Sequence, residues 1–330
     1  MLVSIIIINY NYQAYLSQAI ESALGQSYPH IEVIVIDDGS SDNSVEIIKR
    51  YGDKITPILK QNSGHCSCIN LGYSKSQGDV VIFLDADDLL YESAVALHVE
   101  NLTNPAVIKS TGYQDIVDSA GQLTGRLMPG VLGKSGNYRD ITLSKGLDIY
   151  RPSFTSGNAW SRKFLQQVMP IPDQDPIDNM VGPDGYLTAV DVLFGDVASI
   201  HQSIGQYRIH GSNCGPVNFC FSARYMQKRL LCRQTRIRYA EKFAQQLGLQ
   251  IPDKPFYQLY DWKLNLMQQS LVLMGESTRS APLWPFVHSP FIRRQGNTIK
   301  ATMTSMAFLL VRILPAPISL KLANYLLSRW

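Results

Sequence analysis

The sequence predicts an α/β protein with a mostly parallel central sheet and a helical C-terminal extension. In the first hundred residues, apolar runs typical of strands alternate with helical patterns. Parallel neighbours need such crossover connections, so the alternation indicates a doubly wound sheet. From residue 222 the pattern becomes mainly helical and basic. We therefore expect a first domain over residues 1–220 and a helical extension over 221–330, which 330 residues readily accommodate.

Four apolar runs predict the strands of this sheet. The first, LVSIIII at 2–8, is continuous and β-branched, and the others lie at 31–37, 54–60 and 79–85. Such unbroken runs are typical of parallel strands that are buried on both faces.

The segments between these strands predict helices. Residues 15–26 place Leu16, Ile20 and Leu24 on one helical face, and Gly25 is a plausible stop. Two more helical patterns follow at 45–52 and 66–78, so each predicted strand leads into a crossover helix.

The rhythm changes after residue 104. Residues 106–128 resemble a strand followed by a hairpin that turns near Gly121, and 150–168 lead from a loop into a helix. Residues 186–195 are apolar at helical spacing, and 197–215 contain two short strands and a turn.

Two acidic clusters follow predicted strands. Asp37 and Asp38 come after the second strand, and Asp85, Asp87 and Asp88 come after the fourth. The carboxyl ends of parallel strands form the crevice where α/β sheets bind ligands. Clustered carboxylates there suit a hard divalent cation such as Mg²⁺ or Mn²⁺. In the alternative reading, Asp87 or Asp88 caps the next helix, although capping requires only one acid.

Several other classes of site do not fit the sequence. The turn after the first strand, NYNYQA, lacks the glycines of a dinucleotide-binding loop, and no P-loop is present. The five cysteines are an odd count without paired CxxC spacing. We therefore expect free thiols in a reducing compartment rather than zinc or disulfides.

Two segments resemble family 2 glycosyltransferases of the GT-A fold. They are VSIIIINYNYQAYLSQAIESALGQSYPHIEVIVIDDGSSDNS and QNSGHCSCINLGYSKSQGDVVIFLDADD. The resemblance is close from residue 2 to about 100 and weaker to about 215. It implies a nucleoside-diphosphate sugar donor, most simply a UDP-sugar, a Mn²⁺ or Mg²⁺ cofactor, and inversion at the anomeric carbon. The acceptor would be a hydroxyl of a saccharide or lipid-linked acceptor in cell-surface glycan synthesis.

The resemblance also implies site residues at matching motif positions. For the nucleotide sugar these are Tyr10, Asn11, Asp37, Asp38, Asn62, Gly64, Asn70, Asp85, Ala86, Asp87 and Arg208. For the metal they are Asp85, Asp87, Asp88 and His210. Arg208 has two interpretations, contact with phosphate or positioning of its loop. Ile69 departs from the family, in which this position is often basic.

Asp184 is the predicted general base for the acceptor hydroxyl. It matches the Asp of the acidic pair that relatives place before an apolar helix, although Pro183 occupies the usual Glu position. Asp178 and Asp191 are the alternatives, and Asp184 could also be a simple helix cap. Trp160 is a weak candidate for contact with the acceptor, since a Trp before a helix is equally often core.

Charge is unevenly divided along the chain. Residues 1–221 carry 14 Lys+Arg and 23 Asp+Glu, whereas 222–330 carry 16 and 4. Segment 319–330 interleaves apolar and basic residues like an interfacial helix, and 303–314 is shorter than the ~20 residues of a spanning helix. We expect a cytoplasmic protein without a signal peptide, attached peripherally to the inner membrane face. The alternatives are packing on the first domain or a homodimer contact; nucleic-acid binding is not expected.

Two other functions remain open from sequence alone. A sugar-phosphate nucleotidyltransferase would be expected to open with a glycine- and arginine-rich loop, which is absent here. A non-catalytic sugar-nucleotide-binding scaffold would keep the first half of the chain without needing Asp184. Slow metal-dependent hydrolysis of a donor would distinguish an enzyme from such a scaffold.

Overall fold

A computed structural model of the chain forms two compact units. One comprises residues 1–138 and 150–213, and the other comprises 139–149 and 214–330. Within them the structure describes residues 1–145, 147, 150, 152–173, 181–211, 222–250, 262–275, 310–311 and 313–328.

The first unit is built on a nine-stranded sheet. Its strands are β1 (Val3–Asn9), β2 (Ile31–Asp37), β3 (Thr56–Leu59), β4 (Val80–Asp85), β5 (Leu89–Leu90), β6 (Val107–Val117), β7 (Leu123–Met128), β8 (Asn158–Ser161) and β9 (Asp196–Arg208). They run in the order β3-β2-β1-β4-β8-β6-β9-β5, and β7 pairs with β6.

The described helices connect these strands and make up the rest of the chain. They are α1 (Leu16–Leu24), α2 (Ser44–Lys49), α3 (His65–Lys75), α4 (Ala94–Leu102), α5 (Arg139–Lys145), α6 (Arg162–Val168), α7 (Pro183–Val190), α8 (Ala223–Gln246), α9 (Trp262–Leu273) and α10 (Ala316–Ser328).

The parallel half of the sheet brings the two acidic clusters together. Strands β3, β2, β1 and β4 pair in parallel, so their carboxyl ends share one edge. Ile8 of β1 lies opposite Ile36 on one side and Asp85 on the other, and Asn9 lies opposite Asp37. The end of β1 therefore separates Asp37 from Asp85 by the width of one strand.

A single hydrophobic core holds this half in place. Every residue of β1 is buried, and Ile5 and Ile7 pack with Leu16 and Ile20 of α1. Full burial of such side chains stabilises a fold by roughly 1.5–3 kcal/mol each. The strand ends thus provide a rigid base for the loops that carry the acids.

The sequence predicts most of the elements in the first unit. The predicted α/β class, the four parallel strands, their helices and the β6–β7 hairpin with its turn at Gly121 are confirmed. The short strand β8 was not predicted; it pairs antiparallel with both β4 and β6. The two short strands predicted in 197–215 are wrong, because β9 runs unbroken from Asp196 to Arg208.

The described secondary-structure elements of the second unit are all helices. Helix α9 packs against α8 and α10. Among the described residues, no helix combines the length and the apolar character needed to cross a bilayer. The predicted boundary at residue 220 lies outside the described residues and stays a prediction, as does the tip of the predicted interfacial helix at 329–330.

Candidate active site

Asp37 is engaged inside the fold. One carboxylate oxygen accepts hydrogen bonds from Asn9 Nδ2 at 2.7 Å and Ser40 Oγ at 2.6 Å, and the other accepts from Ser40 N at 2.8 Å. Only 1% of the residue is exposed. The prediction that Asp37 contacts the donor is therefore corrected: it fixes the loop after β2.

Asp38 is neutralised by donors from the next loop. Its Oδ1 accepts from Lys60 Nζ at 2.5 Å and from Ser63 N at 3.0 Å, and its Oδ2 accepts from Gly64 N at 2.9 Å. Burial raises the pKa of Asp38, but the bonds from Lys60, Ser63 and Gly64 together lower it below its ordinary value. Asp38 thus joins the loop after β2 to the start of α3, and its contact with a nucleoside stays a prediction.

Three loops meet above these acids. Asn11, at the left-handed φ of 59°, accepts from Ser41 N at 2.8 Å, while its own N–H donates to Ser40 Oγ at 2.9 Å. Gly39 has φ 74°, and a Cβ there would lie 2.8 Å from Asn62 N, so only glycine fits. Tyr10, half-exposed, stands beside this junction.

Asp85 and Asp87 are the part of the second cluster that faces two histidines, with side chains that are 29% and 10% exposed. Burial raises the pKa of Asp87, and the charge of Asp85 raises it further, while a contact with His210 lowers it only in part. His210 Nε2 lies 2.9 Å from Asp87 Oδ2. Ala86 is buried between the two acids, and its contact with the donor stays a prediction.

Asp88 and Arg208 belong to the framework beneath the cluster. The N–H of Arg208 donates to Asp88 Oδ1 at 3.0 Å, and both residues are 2% exposed. Burial, with the charges of Asp87 and Asp85, holds the pKa of Asp88 well above its usual value. One carboxylate oxygen of Asp88 is thus occupied by the Arg208 backbone, and the role of Asp88 as a metal ligand stays a prediction. Helix capping is excluded for both acids, because Ser93 is the N-cap of α4.

The guanidinium of Arg208 points into the fold. Its Nε donates to the carbonyl of Asp87 at 3.0 Å, and its NH2 nitrogen donates to Gln18 of α1 at 2.9 Å. The group lies 4.8 Å from the ring centre of Tyr15. Of the two interpretations of Arg208, these contacts favour positioning of the loop over contact with phosphate.

Two tyrosines that the sequence analysis did not single out hold His210. The His210 ring stacks on Tyr15 with centroids 5.2 Å apart, and meets Tyr12 edge-on at 5.4 Å. Their spacing in NYNYQAY offered the only signal, a cluster of tyrosines after β1. Together with Asp87 they fix the ring at the rim.

His65 is the second histidine at this rim, and it too was missed. It is the first residue of α3, and its Nε2 lies 3.3 Å from Asp85 Oδ1. Burial lowers the pKa of His65, but Asp85, Asp184 and Asp87 raise it by more, so it lies above its ordinary value. The ring therefore lies within electrostatic reach of all three acids.

Asp184 is the only one of the three candidate bases that the structure both describes and leaves partly exposed. It lies in the first turn of α7, where its Oδ1 accepts from Gly185 N at 3.1 Å and Gly182 is the N-cap. Asp191 is excluded as a base, because it is fully buried in an ion pair with Lys109 at 2.8 Å. Asp178 lies outside the described residues.

Two further predictions are corrected by packing. Trp160 is 2% exposed and stacks on Phe164, with Lys109 Nζ 4.6 Å from its ring centre, so it offers no face to an acceptor. The amide of Asn70 is occupied at both ends, since it donates to Ile171 O at 2.8 Å and accepts from Ile171 N at 2.7 Å. Asn70 thus ties α3 to the segment that leads to α7.

The rim residues fit a hard divalent cation. Within the described ranges, no three His, Cys, Asp or Glu side chains are arranged as a ready-made metal site. However, burial and the charge of Asp85 raise the pKa of Asp87 despite its contact with His210, so a cation there would stabilise the ionised form of Asp87. The carboxylates of Asp85 and Asp87, with the ring nitrogen of His210, are a donor set that suits Mn²⁺ or Mg²⁺.

Comparisons with known proteins agree with this architecture. The Glycosyl transferase family 2 model matches residues 4–160. An uncharacterized glycosyltransferase of Nostoc sp. is 34% identical over 217 residues, which are 64% of this chain and 66% of that protein. Another, from Rickettsia typhi, is 41% identical over 116 residues, 34% of this chain and 36% of that protein. The chain thus spans less than two thirds of these curated relatives.

A solved structure shows the same fold. The crystal structure of S. aureus TarS 1-349 in complex with UDP-GlcNAc matches with a TM-score of 0.56 at 15% identity, covering 94% of this chain and 92% of that one. The fold is therefore the predicted GT-A fold with a helical C-terminal part. Together with the matched motifs, the sheet and the acidic rim, the match of the family model identifies residues 4–160 as a glycosyl transferase family 2 domain.

Proposed function

We propose that the chain transfers a sugar from a nucleoside-diphosphate sugar to an acceptor hydroxyl, with inversion at the anomeric carbon. The observation that carries this proposal is the placement of Asp85 and Asp87 at the carboxyl end of β4, next to His65, which faces Asp85 and lies near the partly exposed Asp184. A UDP-sugar is the first donor to test, because TarS, of similar fold, is seen with UDP-GlcNAc.

Asp184 acts as the general base in this proposal. Its carboxylate accepts the proton of the acceptor hydroxyl while that oxygen forms a bond to the anomeric carbon. The bond from this carbon to the diphosphate breaks, and its electron pair leaves with the diphosphate. Asp184 lies partly exposed in the first turn of α7, where an acceptor hydroxyl can approach its carboxylate.

The remaining rim residues hold the donor in place. A divalent cation bound by Asp85, Asp87 and His210 would neutralise charge on the departing diphosphate. Arg208 and Asp88 brace the turn that carries Asp87, while Tyr12 and Tyr15 fix His210. We place the nucleoside over the junction of Tyr10, Asn11 and Asn62, above Asp38.

The C-terminal extension is the proposed membrane-binding part of the chain. Helix α8 exposes Arg224, Lys228 and Arg229, and α10 exposes Ile318 and Tyr325. Apolar and basic side chains of this kind suit the interface of an anionic membrane, where a lipid-linked saccharide of the cell envelope would be presented. Co-sedimentation with phosphatidylglycerol vesicles should capture the chain, and phosphatidylcholine vesicles should not. A concentration-dependent dimer without vesicle binding would favour a homodimer contact instead.

Replacing the proposed base tests the mechanism. Asp184→Asn should lower the initial rate of transfer about 10³-fold, because general-base catalysis contributes that order of rate. Its affinity for UDP should stay within about twofold of the unchanged chain, since the substitution leaves the metal side of the rim intact. Asp53→Asn, at an exposed position, is the matched control.

Each result has a distinct meaning. Full turnover in Asp184→Asn would remove Asp184 from the mechanism. If the unchanged chain binds the donor in a metal-dependent way but shows neither transfer nor slow hydrolysis, the result would favour the non-catalytic scaffold.

A further inference from the structure

We infer that His65 donates a hydrogen bond to the diphosphate of the donor. This inference rests on the proposed function and assigns a residue that the family resemblance did not.

The position of the His65 ring carries the inference. Its Nε2 atom is buried but makes no hydrogen bond in the structure, although Asp85 Oδ1 lies 3.3 Å away. The side chain as a whole is 38% exposed. A buried polar nitrogen without a hydrogen bond costs free energy, and an oxygen of a ligand bound at the rim would satisfy it.

The other cations near the rim already have partners. Lys60 is occupied by Asp38, Gln61 O and Ser63, and Arg208 is buried against Gln18 and the carbonyl of Asp87. His210 is 7% exposed and faces Asp87. Among these described groups, His65 has the most exposed side chain, and its Nε2 makes no hydrogen bond beyond the 3.3 Å approach of Asp85 Oδ1.

The surroundings select an anion that brings its own counter-charge. Asp85, Asp87 and Asp184 would repel a free phosphate, but a diphosphate chelated to a divalent cation presents its negative oxygens alongside that cation. His65 Nε2–H can donate to such an oxygen in either its charged form or its Nε2-protonated neutral form. We assign the contact to the β-phosphate of the donor. A nucleoside diphosphate carries this group and a nucleoside monophosphate lacks it.

Two substitutions of different reach test the inference. In His65→Gln, the amide nitrogen occupies roughly the place of Nε2, whereas in His65→Asn it reaches only the place of Nδ1. Binding of UDP and of UMP is measured by isothermal titration calorimetry with saturating Mn²⁺, for the unchanged chain and both variants. GDP and GMP are run in parallel to cover a different base. Circular dichroism melting confirms that both variants are folded.

We expect His65→Asn to bind UDP about tenfold more weakly, as for loss of one hydrogen bond to a charged group, with UMP changed less than about twofold. His65→Gln should retain affinity close to that of the unchanged chain. Equal losses for UDP and UMP, or no loss in His65→Asn, would overturn the inference. If the unchanged chain binds none of the four nucleotides, the proposed function falls, and the inference with it.

Discussion

The two acidic clusters sit on the same edge of one sheet, yet their charges are handled in opposite ways. After β2, Asp37 and Asp38 receive six hydrogen bonds from Asn9, Ser40, Lys60, Ser63 and Gly64. After β4, Asp87 has a histidine as its side-chain partner, and burial and Asp85 raise its pKa. The pKa of Asp38 is lowered because its partners stabilise the ionised form, whereas burial and Asp85 penalise the ionised form of Asp87.

The density of acidic residues alone therefore does not identify a ligand site. The carboxylates of the first cluster accept hydrogen bonds that tie three loops together. The second leaves charge that burial penalises, which is typical of functional sites rather than of framework. We therefore expect substitutions in the first cluster to cost stability and substitutions in the second to cost activity.

The largest expected effect is on turnover. Asp87→Asn should lower the initial rate of transfer about 10³-fold, because it removes a proposed ligand of the cation that neutralises the leaving group. Its melting temperature without metal should be equal to or above that of the unchanged chain, since a buried repulsion disappears. If Asp87→Asn were destabilised but fully active, the cluster after β4 would be structural rather than functional.

The next effect is on folding. Asp38→Asn should lower the free energy of unfolding by about 2 kcal/mol, because Lys60 loses a buried charged partner. The pKa of Asp38 is lowered from an ordinary value of 3.8, so its contribution is complete above pH 3.8 and is lost only as pH falls through the lowered pKa.

Urea denaturation at pH 8 and pH 5.5 checks this directly. The deficit of Asp38→Asn should be the same at both pH values, and Asp53→Asn should show none. A deficit that disappears by pH 5.5 would contradict the assigned state of Asp38.

A smaller effect is the stabilisation by metal alone. At about ten times its dissociation constant, Mn²⁺ should raise the melting temperature by about 3 °C through mass action. The rise should be absent in Asp87→Asn, whereas in a chain carrying Asp53→Asn it should persist. An equal rise in Asp87→Asn would place the cation elsewhere.

The sequence predicts those parts of the site that depend on local pattern. Asp85 and Asp87 follow directly from an apolar run that ends in acids, and Asp184 from an acid before a helical pattern. The carboxyl ends of parallel strands lie at the same edge of a sheet. The placement of Asp37 and Asp85 at one edge therefore follows from the predicted parallel topology.

The remaining assignments failed where the deciding partner is distant in sequence. Arg208 is held by Gln18, 190 positions earlier, and Asp191 by Lys109, 82 positions earlier. Trp160 was predicted ambiguously because its four-residue strand β8 is too short to show a period. Such pairings are set by packing across the sheet, which one sequence does not reveal.

We propose above that Asp85 and Asp87, after β4, bind a cation that in turn binds the diphosphate of the donor. The most direct test is calorimetric titration of UDP into the unchanged chain and into Asp87→Asn, each with Mn²⁺ and with EDTA. We predict that Mn²⁺ strengthens UDP binding by the unchanged chain at least about tenfold and has no effect on the variant. Equal UDP affinity with Mn²⁺ and EDTA in the unchanged chain would contradict the account.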